Sequence, residues 1–284
     1  MKDRADSERV SPTAYATGYF WYRHGLSHAG LLISEGRRID RRFRLLGAVV
    51  KLVSGVSIDA LMLARHKGID ALLSRHIASE RVSQVVELAA GLSPRGWRFA
   101  QRHGGALDYL ETDLPHMAKL KRDLLERSHL ATPKHRVATV DVLKDGGADS
   151  LAAVAATLDR SRGLAIITEG LMSYLDPPAA QAVWRRIAAT LKQFPHGVYL
   201  SDAYVQSDRY GVGGQVFRGA IQRFVKGRMH VHFQTPDDAQ AQLTTAGFGS
   251  VTMHEPRHIA ETRELGEVAG GNRVRVLEAT VRPG

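Results

Sequence analysis

Acidic residues recur at the ends of the short apolar runs in this sequence. They close or follow the runs QVVEL, LDYL, RVATV and LAIIT, and they are Glu87, Glu111, Asp113, Asp141 and Glu169. In a parallel sheet the carboxyl ends of the strands meet at one edge, where ligands bind. Any one of these residues has an ordinary alternative role as a helix N-cap or a solvated turn residue. Four successive runs that end in this way indicate a shared ligand site.

The turn after the first run narrows the class of ligand. The segment QVVELAAGLSPRGWRF has Gly91 as its glycine at the turn, and Ser93 and Pro94 open the helix that follows. A dinucleotide site needs several spaced glycines, so that backbone amides can hold a pyrophosphate at a helix N-terminus. We therefore expect a nucleoside cofactor without phosphates. Glu87 would repel a pyrophosphate but could attract an ammonium or sulfonium group through water or backbone.

The later acidic residues suit the other parts of such a cofactor. Glu111 and Asp113 follow Gly91 by about twenty residues, the spacing at which a carboxylate accepts both ribose hydroxyls. Asp141 can accept a hydrogen bond from an adenine amino group, and Glu169 lies at the mouth of the same crevice.

The elements that must position these residues alternate between strand and helix. From about residue 81, short β-type runs alternate with amphipathic segments, as in a parallel sheet with crossover helices. The expected strands are Gln84 to Leu88, Ala106 to Thr112, His135 to Asp141, Leu164 to Glu169, Gly197 to Asp202, and a terminal antiparallel pair at Ser250 to Met253 and Val274 to Val281. The expected helices are Arg95 to Arg102, His116 to Ser128, Asp149 to Leu158, Pro178 to Phe194 and one in TPDDAQAQLTTAGF. Helical spacing of apolar residues before this region predicts a helical cap over 1–80, ahead of a core over 81–284 with a lid insertion around 203–235.

Four segments carry a family resemblance. VVELAAGLSPRGWRF, YLETDLP, VDVL and EGLMSYL together resemble the class I S-adenosylmethionine-dependent methyltransferases. More narrowly, they resemble the branch with leucine carboxyl methyltransferases and bacterial O-methyltransferases of polyketide biosynthesis, from about Val82 to the C-terminus. The resemblance implies an α/β, Rossmann-like fold with a mostly parallel seven-stranded sheet and helices on both faces. It also implies S-adenosyl-L-methionine as the cofactor.

The matching motifs also imply which residues surround the cofactor. These are Glu87, Ala89, Gly91, Glu111, Asp113, Leu114, Asp141, Val142, Glu169 and Gly170. By resemblance, Gly91 lets the backbone approach the cofactor and Asp113 holds the ribose. Asp141 with Val142 frames the adenine, and Glu169 lies near the methionine moiety. The branch commonly has glycine where Ala89 stands, and a methyl group there costs little if the backbone angles are ordinary.

Two further segments bear on the acceptor. SPTAYATGYFWYRHGLS resembles an N-terminal helix that closes over cofactor and substrate in polyketide-type members; its residues of interest are Tyr15, Thr17, Tyr22 and Arg23. Core packing of the aromatic rings and a surface salt bridge of Arg23 are the alternatives.

In GRMHVHFQT, His230 and His232 share one face of an extended segment. Three roles are open for them: a metal site, a general base for a hydroxyl substrate, or solvated side chains without a catalytic role. No further metal ligand can be placed beside them. Arginines that could clamp a carboxylate, or be surface charges, are Arg209, Arg218, Arg223 and Arg228.

The acceptor follows from the chemistry of methyl transfer. A carboxylate is already ionised near pH 7 and needs no base, whereas a phenol or alcohol benefits from one. We expect a small-molecule carboxylate acceptor, with a phenolic hydroxyl second and a protein C-terminal carboxylate as a further alternative. A non-catalytic basic binding protein is the alternative from another class. The intact acidic set argues against it, because a pocket without a cofactor would not need Asp113, Asp141 and Glu169 together.

Composition limits the partners. The 284 residues carry a net charge of +10, which attracts anions, yet no aromatic and basic repeat points to nucleic acid. The chain has no cysteine, which excludes disulfides, thiolate zinc sites and cysteine nucleophiles. No apolar run approaches the roughly 20 residues that span a bilayer, and the N-terminus does not read as a secretory signal. We expect a cytoplasmic enzyme with a small, anionic acceptor and no membrane partner, and the oligomeric state stays open.

Overall fold

The protein is described here by a computed structural model that covers residues 14–206 and 229–282. These residues form a seven-stranded sheet in the order β3-β2-β1-β4-β5-β7-β6. The strands are β1 Gln84–Leu88, β2 Asp108–Asp113, β3 His135–Thr139, β4 Leu164–Thr168, β5 Gly197–Ala203, β6 Ser250–His254 and β7 Arg275–Thr280. Strands β1 to β5 pair in parallel, while β7 pairs antiparallel with both β5 and β6. The predicted α/β fold with a mostly parallel seven-stranded sheet is confirmed.

Helices cover both faces of this sheet. They are α1 (14–23), α2 Ser34–Ser54, α3 Ile58–Ala78, α4 Arg95–His103, α5 Pro115–Arg127, α6 Leu151–Ala155, α7 Pro177–Leu191, α8 Pro236–Ala246 and α9 Arg263–Glu267. Successive residues of β1 show why both faces are apolar. Val85 packs with Leu72 of α3 and Phe99 of α4, whereas Val86 packs in the cluster of α6, α7 and α8. Burial on both faces explains the near-continuous apolar runs in the parallel strands.

Several predicted element bounds differ from the structure by one or more residues, and in three places the local structure shows why. Strand β3 ends at Thr139, because the N–H of Asp141 donates to the Asp149 carbonyl and leaves the ladder. Helix α6 begins at Leu151, where the Ser150 side chain accepts from the N–H of Ala153 and caps the helix. Strand β2 begins at Asp108, after a short 3-10 turn at Gly104–Ala106.

The N-terminal helices pack on each other and on the sheet. Phe20 and Trp21 of α1 pack against Leu61 and Met62 of α3. On the sheet side of α3, a side chain added at Gly68 would meet Val276 of β7 at 2.5 Å, so the helix lies directly against that strand. The division into a cap over 1–80 and a core over 81–284 stays a prediction.

The predicted lid falls largely beyond the described ranges. Residues 207–228 lie outside them, and with them the four arginines proposed as a carboxylate clamp: Arg209, Arg218, Arg223 and Arg228. The part that follows, 229–235, is described and carries both histidines of interest.

A search of the described helices for membrane spans finds no single helix of sufficient length and apolar character. Helices α2 and α3 would pass only when taken together as a bent pair.

Candidate functional site

The glycine turn after β1 is tied to the end of β2. Gly91 has φ of +53°, in the left-handed region that favours glycine. Its N–H donates to Oδ2 of Asp113 at 2.7 Å, and the N–H of Leu114 donates to Oδ1 at 2.7 Å. A carboxylate has about four acceptor positions, so this side chain is oriented by two backbone donors and keeps capacity for a ligand. Burial raises the pKa of Asp113, and the two N–H donors oppose that rise by stabilising the ionised form.

Ala89 occupies a backbone conformation that suits glycine. Its φ is +51°, so the condition of ordinary backbone angles is not met. A side chain in this region costs roughly 1–2 kcal/mol. The condition under which the methyl group would cost little is therefore not met, and Ala89 carries backbone strain.

Helix α1 lies over this turn. A side chain added at Gly91 would meet Cβ of Ala14 at 3.3 Å, and one added at Gly18 would meet Cβ of Leu92 at 2.9 Å. The helix thus covers the place where a cofactor would approach the glycine turn.

Arg23 and Tyr22, the two residues of α1 that were candidates for the acceptor site, lie near the end of the helix and away from the glycine turn. Arg23 donates to Asp59 of α3 at 3.0 Å and lies 3.6 Å from Asp40 of α2. These contacts agree with the salt-bridge alternative for Arg23. Tyr22 is 40% exposed, and its ring lies 6.0 Å from that of Tyr19.

A buried arginine joins the ends of β1 and β4. The Arg95 side chain is fully buried at the start of α4. Its guanidinium lies 2.6 Å from Glu87, 2.6 Å from Glu169 and 2.6 Å from Asp70 of α3. Glu87 also accepts from the hydroxyl of Tyr109 at 2.6 Å. The Glu87 carboxylate is thus committed to buried partners rather than presented to the crevice.

His66 lies inside the same cluster. Burial lowers its pKa to about 4, so the ring is neutral near pH 7. Nδ1 lies 2.8 Å from Glu169 and 3.0 Å from Nη2 of Arg95, and Nε2 lies 3.1 Å from a nitrogen of Arg98. Both ring nitrogens thus lie beside guanidinium groups, which only donate. The ring of Trp21 stacks on it at 4.1 Å.

Glu169 is held ionised by this surrounding. Burial alone would raise the pKa of Glu169, but the hydrogen-bonded His66 and the guanidiniums of Arg95 and Arg65 outweigh it, and the pKa lies well below its usual range. Arg65 Nε donates to the Glu169 carboxylate at 3.0 Å.

Asp202 extends the cluster to the end of β5. It accepts from the N–H of Gly170 at 2.7 Å and lies 3.6 Å from Arg65. Sequence reasoning missed Arg65, His66, Arg95 and Asp202. Its assignment of Glu169 and Gly170 to the cofactor stays a prediction.

Two other predicted residues lie in different surroundings. Glu111 is 1% exposed and lies 2.5 Å from Lys121 and 3.2 Å from His135, which places its carboxylate in a buried ion pair beneath α4 and α5. Asp141 is half-buried just past β3, where Oδ1 accepts from the N–H of Leu143 at 3.0 Å. Of the two, Asp141 is the more exposed, and it lies just past the carboxyl end of β3.

A small cleft of about 10 Å³, with room for about one water molecule, lies beyond β4 and β5. Its lining comprises Met172, Ser173, Trp184, Ser201, Asp202, Ala203, Tyr204, His230, Val231, His232, Phe233 and Leu277. His232 Nε2 lies 2.8 Å from the Met172 carbonyl, and the N–H of His230 donates to the Ser173 carbonyl at 2.8 Å.

The surroundings of His232 bear on two alternatives, a solvated side chain and a metal ligand. His232 is half-buried, with its ring 5.4 Å from that of Trp184 in an edge-on arrangement, so it is not a solvated side chain. Burial lowers its pKa. Within 14–206 and 229–282, no three His, Asp or Glu side chains are grouped so as to hold a metal ion.

Comparison with known proteins supports a methyltransferase fold. A family model described as leucine carboxyl methyltransferase matches residues 40–188, just over half of the chain. A protein of Mycolicibacterium smegmatis, provisionally named an S-adenosyl-L-methionine-dependent methyltransferase, is 36% identical over 137 residues, 48% of this chain and 44% of that protein. The chain thus spans less than half of the length of such curated relatives.

Solved structures show the same fold. A DUF574 family protein from Streptomyces avermitilis superposes with a TM-score of 0.66 at 14% identity, over 98% of this chain and 99% of that one. A provisionally named methyltransferase from Thermobifida fusca superposes with a TM-score of 0.60 at 15% identity, over 89% and 90%. The resemblance identified from the four sequence segments is confirmed.

Proposed function

The chain belongs to the leucine carboxyl methyltransferase family, and from this premise we propose that it transfers a methyl group from S-adenosyl-L-methionine to an oxygen atom of a small molecule. The cofactor supplies, when bound, a methyl group on a sulfonium. An in-line displacement of this kind needs no covalent enzyme intermediate. The protein contributes by holding donor and acceptor close and collinear.

The observation that carries this proposal is the contact between Gly91 and Asp113. Two backbone donors orient the carboxylate, and its remaining acceptor positions suit the two ribose hydroxyls. Asp141 would accept from the adenine amino group, with Val142 beside it. Glu169 and Gly170 would lie near the methionine moiety.

Glu87 and Glu111 are omitted from the proposed cofactor contacts. The first is paired with Arg95 and the second with Lys121, and both side chains are 1% exposed. Each supports the crevice from below by tying its strand to a neighbouring helix.

Calorimetric titration tests the proposal. Wild-type protein should bind both S-adenosyl-L-methionine and its demethylated product. Asp113→Asn should weaken both roughly tenfold to a hundredfold, because hydrogen bonds to a charged group contribute about 1.5–3 kcal/mol. Asp123→Asn is the matched control, since its side chain pairs with Lys119 on the exposed side of α5. No heat and no thermal shift with wild-type protein would contradict the proposal and favour a basic protein without catalysis.

The acceptor would lie beside the cleft beyond β4 and β5. This cleft borders the proposed cofactor position, because Asp202 lines it and also binds the N–H of Gly170. The family's description supports a carboxylate acceptor, either of a small molecule or of a protein C-terminus.

A further inference from the structure

Little of helix α2 is buried in the fold. Among those of its 21 residues whose exposure the structure describes, the buried ones are Gly36, Asp40 and Val50. A contiguous apolar patch on a protein surface marks an interaction site, whereas single exposed apolar residues do not. Four aliphatic side chains of its C-terminal half are exposed: Leu45 by 66%, Val49 by 58%, Leu52 by 87% and Val53 by 63%.

These four side chains lie on one face of the helix. Val49 follows Leu45 by four residues, and Leu52 and Val53 follow Val49 by three and four. Residues at these spacings are neighbours on a helix surface. The four side chains therefore form one aliphatic stripe.

The exposed apolar surface continues on a loop beside the end of α2. Val268 is 43% exposed. The carbonyl of the next residue, Ala269, accepts from the N–H of Ser57 at 2.7 Å, and Ser57 lies just past Gly55, which ends the helix.

The same helix is strongly basic. Its acidic residues are Glu35 and Asp40, and Asp40 is 2% exposed and lies 3.6 Å from Arg23 of α1. The exposed surface of α2 therefore carries six positive charges and one negative charge. The six exposed basic residues are Arg37, Arg38, Arg41, Arg42, Arg44 and Lys51.

The basic residues border the aliphatic stripe. Arg38, Arg41 and Arg42 precede Leu45 by seven, four and three residues, so they continue its face toward the start of the helix. An aliphatic face bordered by arginine and lysine is typical of helices that lie in the headgroup region of a membrane. A second basic row, spaced by seven residues along one flank, is Arg37, Arg44 and Lys51.

Charge distinguishes the partners that this face could bind. A second copy of the chain would bring two arginine-rich helices together, with Glu35 as the exposed carboxylate of each, and like charges oppose such contact. An acidic protein would match the charge, but the cores of protein interfaces are enriched in aromatic residues. The exposed apolar residues of α2 are leucine, valine and alanine. An anionic bilayer suits both halves, because phosphates bind guanidinium groups and the acyl boundary accepts aliphatic side chains.

We propose that α2 docks the protein on an anionic lipid surface, with its aliphatic stripe at the acyl boundary and its arginines on the lipid phosphates. Val50 keeps the helix packed on α1 and α3, so the docking is peripheral. This proposal replaces the sequence-based expectation of no membrane partner, since helical spacing alone did not show which face of α2 is uncovered. It goes beyond the proposed methyl transfer and does not depend on it.

Sedimentation of the full chain with lipid vesicles at physiological ionic strength tests the proposal. Vesicles of phosphatidylcholine with about one third phosphatidylglycerol should bind wild type at least about tenfold more tightly than phosphatidylcholine alone. Val49→Ser combined with Leu52→Ser should weaken this binding at least about tenfold, because two aliphatic side chains no longer leave water.

A pair of triple variants separates α2 from the net charge of the protein. Arg38→Gln, Arg41→Gln and Arg42→Gln together should weaken binding to the anionic vesicles at least about tenfold. The matched control removes the same charge at exposed positions of α5, β3 and α7, where salt screens its effect, and should weaken binding less than about threefold. It combines Arg127→Gln, Arg136→Gln and Arg185→Gln.

A dye reports insertion directly. Because the chain has no cysteine, Leu52→Cys supplies a single site for an environment-sensitive dye. Its emission should move to shorter wavelength on the anionic vesicles, whereas the same dye at Arg185→Cys on α7 should not respond. Calorimetry with S-adenosyl-L-methionine should give the same result for the α2 variants as for wild type, so loss of docking and failure of the proposed methyl transfer are distinguishable.

Four results would overturn the proposal. They are absent binding to the anionic vesicles, equal losses in the two triple variants, an unchanged dye signal at position 52, and a wild-type dimer in light scattering that Val49→Ser with Leu52→Ser converts to a monomer. The dimer would assign the face to a second copy of the chain. Absent vesicle binding without a dimer would favour an acidic protein as the partner.

Discussion

Arg95 and Glu169 form a buried ion pair, 2.6 Å between nitrogen and oxygen, that joins the start of α4 to the end of β4. The same guanidinium also binds Glu87 of β1 and Asp70 of α3. One side chain thus links two adjacent strands and two helices behind the glycine turn. The cluster positions the turn and the end of β4 relative to each other.

Removal of this guanidinium should destabilise the fold strongly. Arg95→Met keeps the length of the side chain but leaves three carboxylates without their shared cation. Breaking a buried pair in this way costs about 3–5 kcal/mol in the free energy of unfolding. Chemical denaturation measures the change, with Arg127→Met at an exposed position of α5 as the control, where about 0.5 kcal/mol or less is expected. A loss in Arg95→Met no larger than the control would show that the cluster does not stabilise the fold.

Ala89 and Ala90 should respond in opposite directions to glycine. Ala89→Gly relieves a side chain at φ of +51° and should raise the free energy of unfolding by up to about 1 kcal/mol, after the entropy cost of glycine. Ala90 has no positive φ, so Ala90→Gly should lower it by about 0.5–1 kcal/mol. Equal losses in both variants, measured by thermal denaturation, would refute the strain assigned to Ala89.

The positions of the core strands were predictable because each strand is a short apolar run between polar residues or turns. β1 begins and ends where expected, at Gln84 and Leu88, since an apolar run of this length is bounded by polar residues and a glycine turn. Residue type and spacing alone did not separate the acidic residues that face the crevice from those that are buried, although the resemblance implied a ligand role for Asp113. Glu111 and Asp113 share one face of β2. Their positions along the strand differ by two residues, and pairing with β1 and β3 places Glu111 inside the sheet and Asp113 at its end.

One sequence pattern indicates the buried cluster, although the cluster was not predicted from it. Arg65 and His66 continue the three- and four-residue spacing that runs from Leu61 and Met62 to Ile69, so they occupy positions on the buried face of α3. Charged or titratable residues on an apolar helix face require buried partners. Those partners come from the ends of β4 and β5 and from α4, which lie far away in the chain, so their identity needed the structure.

Glu278 should contribute to stability only while it is ionised. It accepts from Nε2 of His76 on α3 and Nε2 of His254 on β6, at 2.7 Å each. These hydrogen bonds, from His254 first and then His76, lower the pKa of Glu278 to about 2. A carboxyl whose folded pKa is depressed stabilises the fold above its unfolded pKa, and this contribution fades as pH falls from about 4.5 toward 2.

Comparison of wild type with Glu278→Gln tests this behaviour. The variant should lose about 1–2 kcal/mol at pH 6, a value reduced for the partial exposure of the carboxylate. The difference should shrink steadily below pH 4.5. Glu261→Gln, whose exposed carboxylate pairs with Arg75, should differ little from wild type at any pH. A difference between wild type and Glu278→Gln that stays constant from pH 6 to pH 3 would contradict the role of the charge.

His66 should make the protein sensitive to mild acid. Burial lowers its pKa to about 4, compared with 6.5 in the unfolded chain, so between these values the unfolded state binds more protons. The free energy of unfolding should therefore rise with pH across this window and level off above it, by about 2–3 kcal/mol in total. His66→Gln removes the titrating ring, so its stability should change less than that of wild type between pH 6.5 and 4. His196→Gln, at an exposed site, should keep the wild-type slope. Urea denaturation at several pH values measures this, and equal slopes for wild type and His66→Gln would mean that the ring is not held neutral by burial.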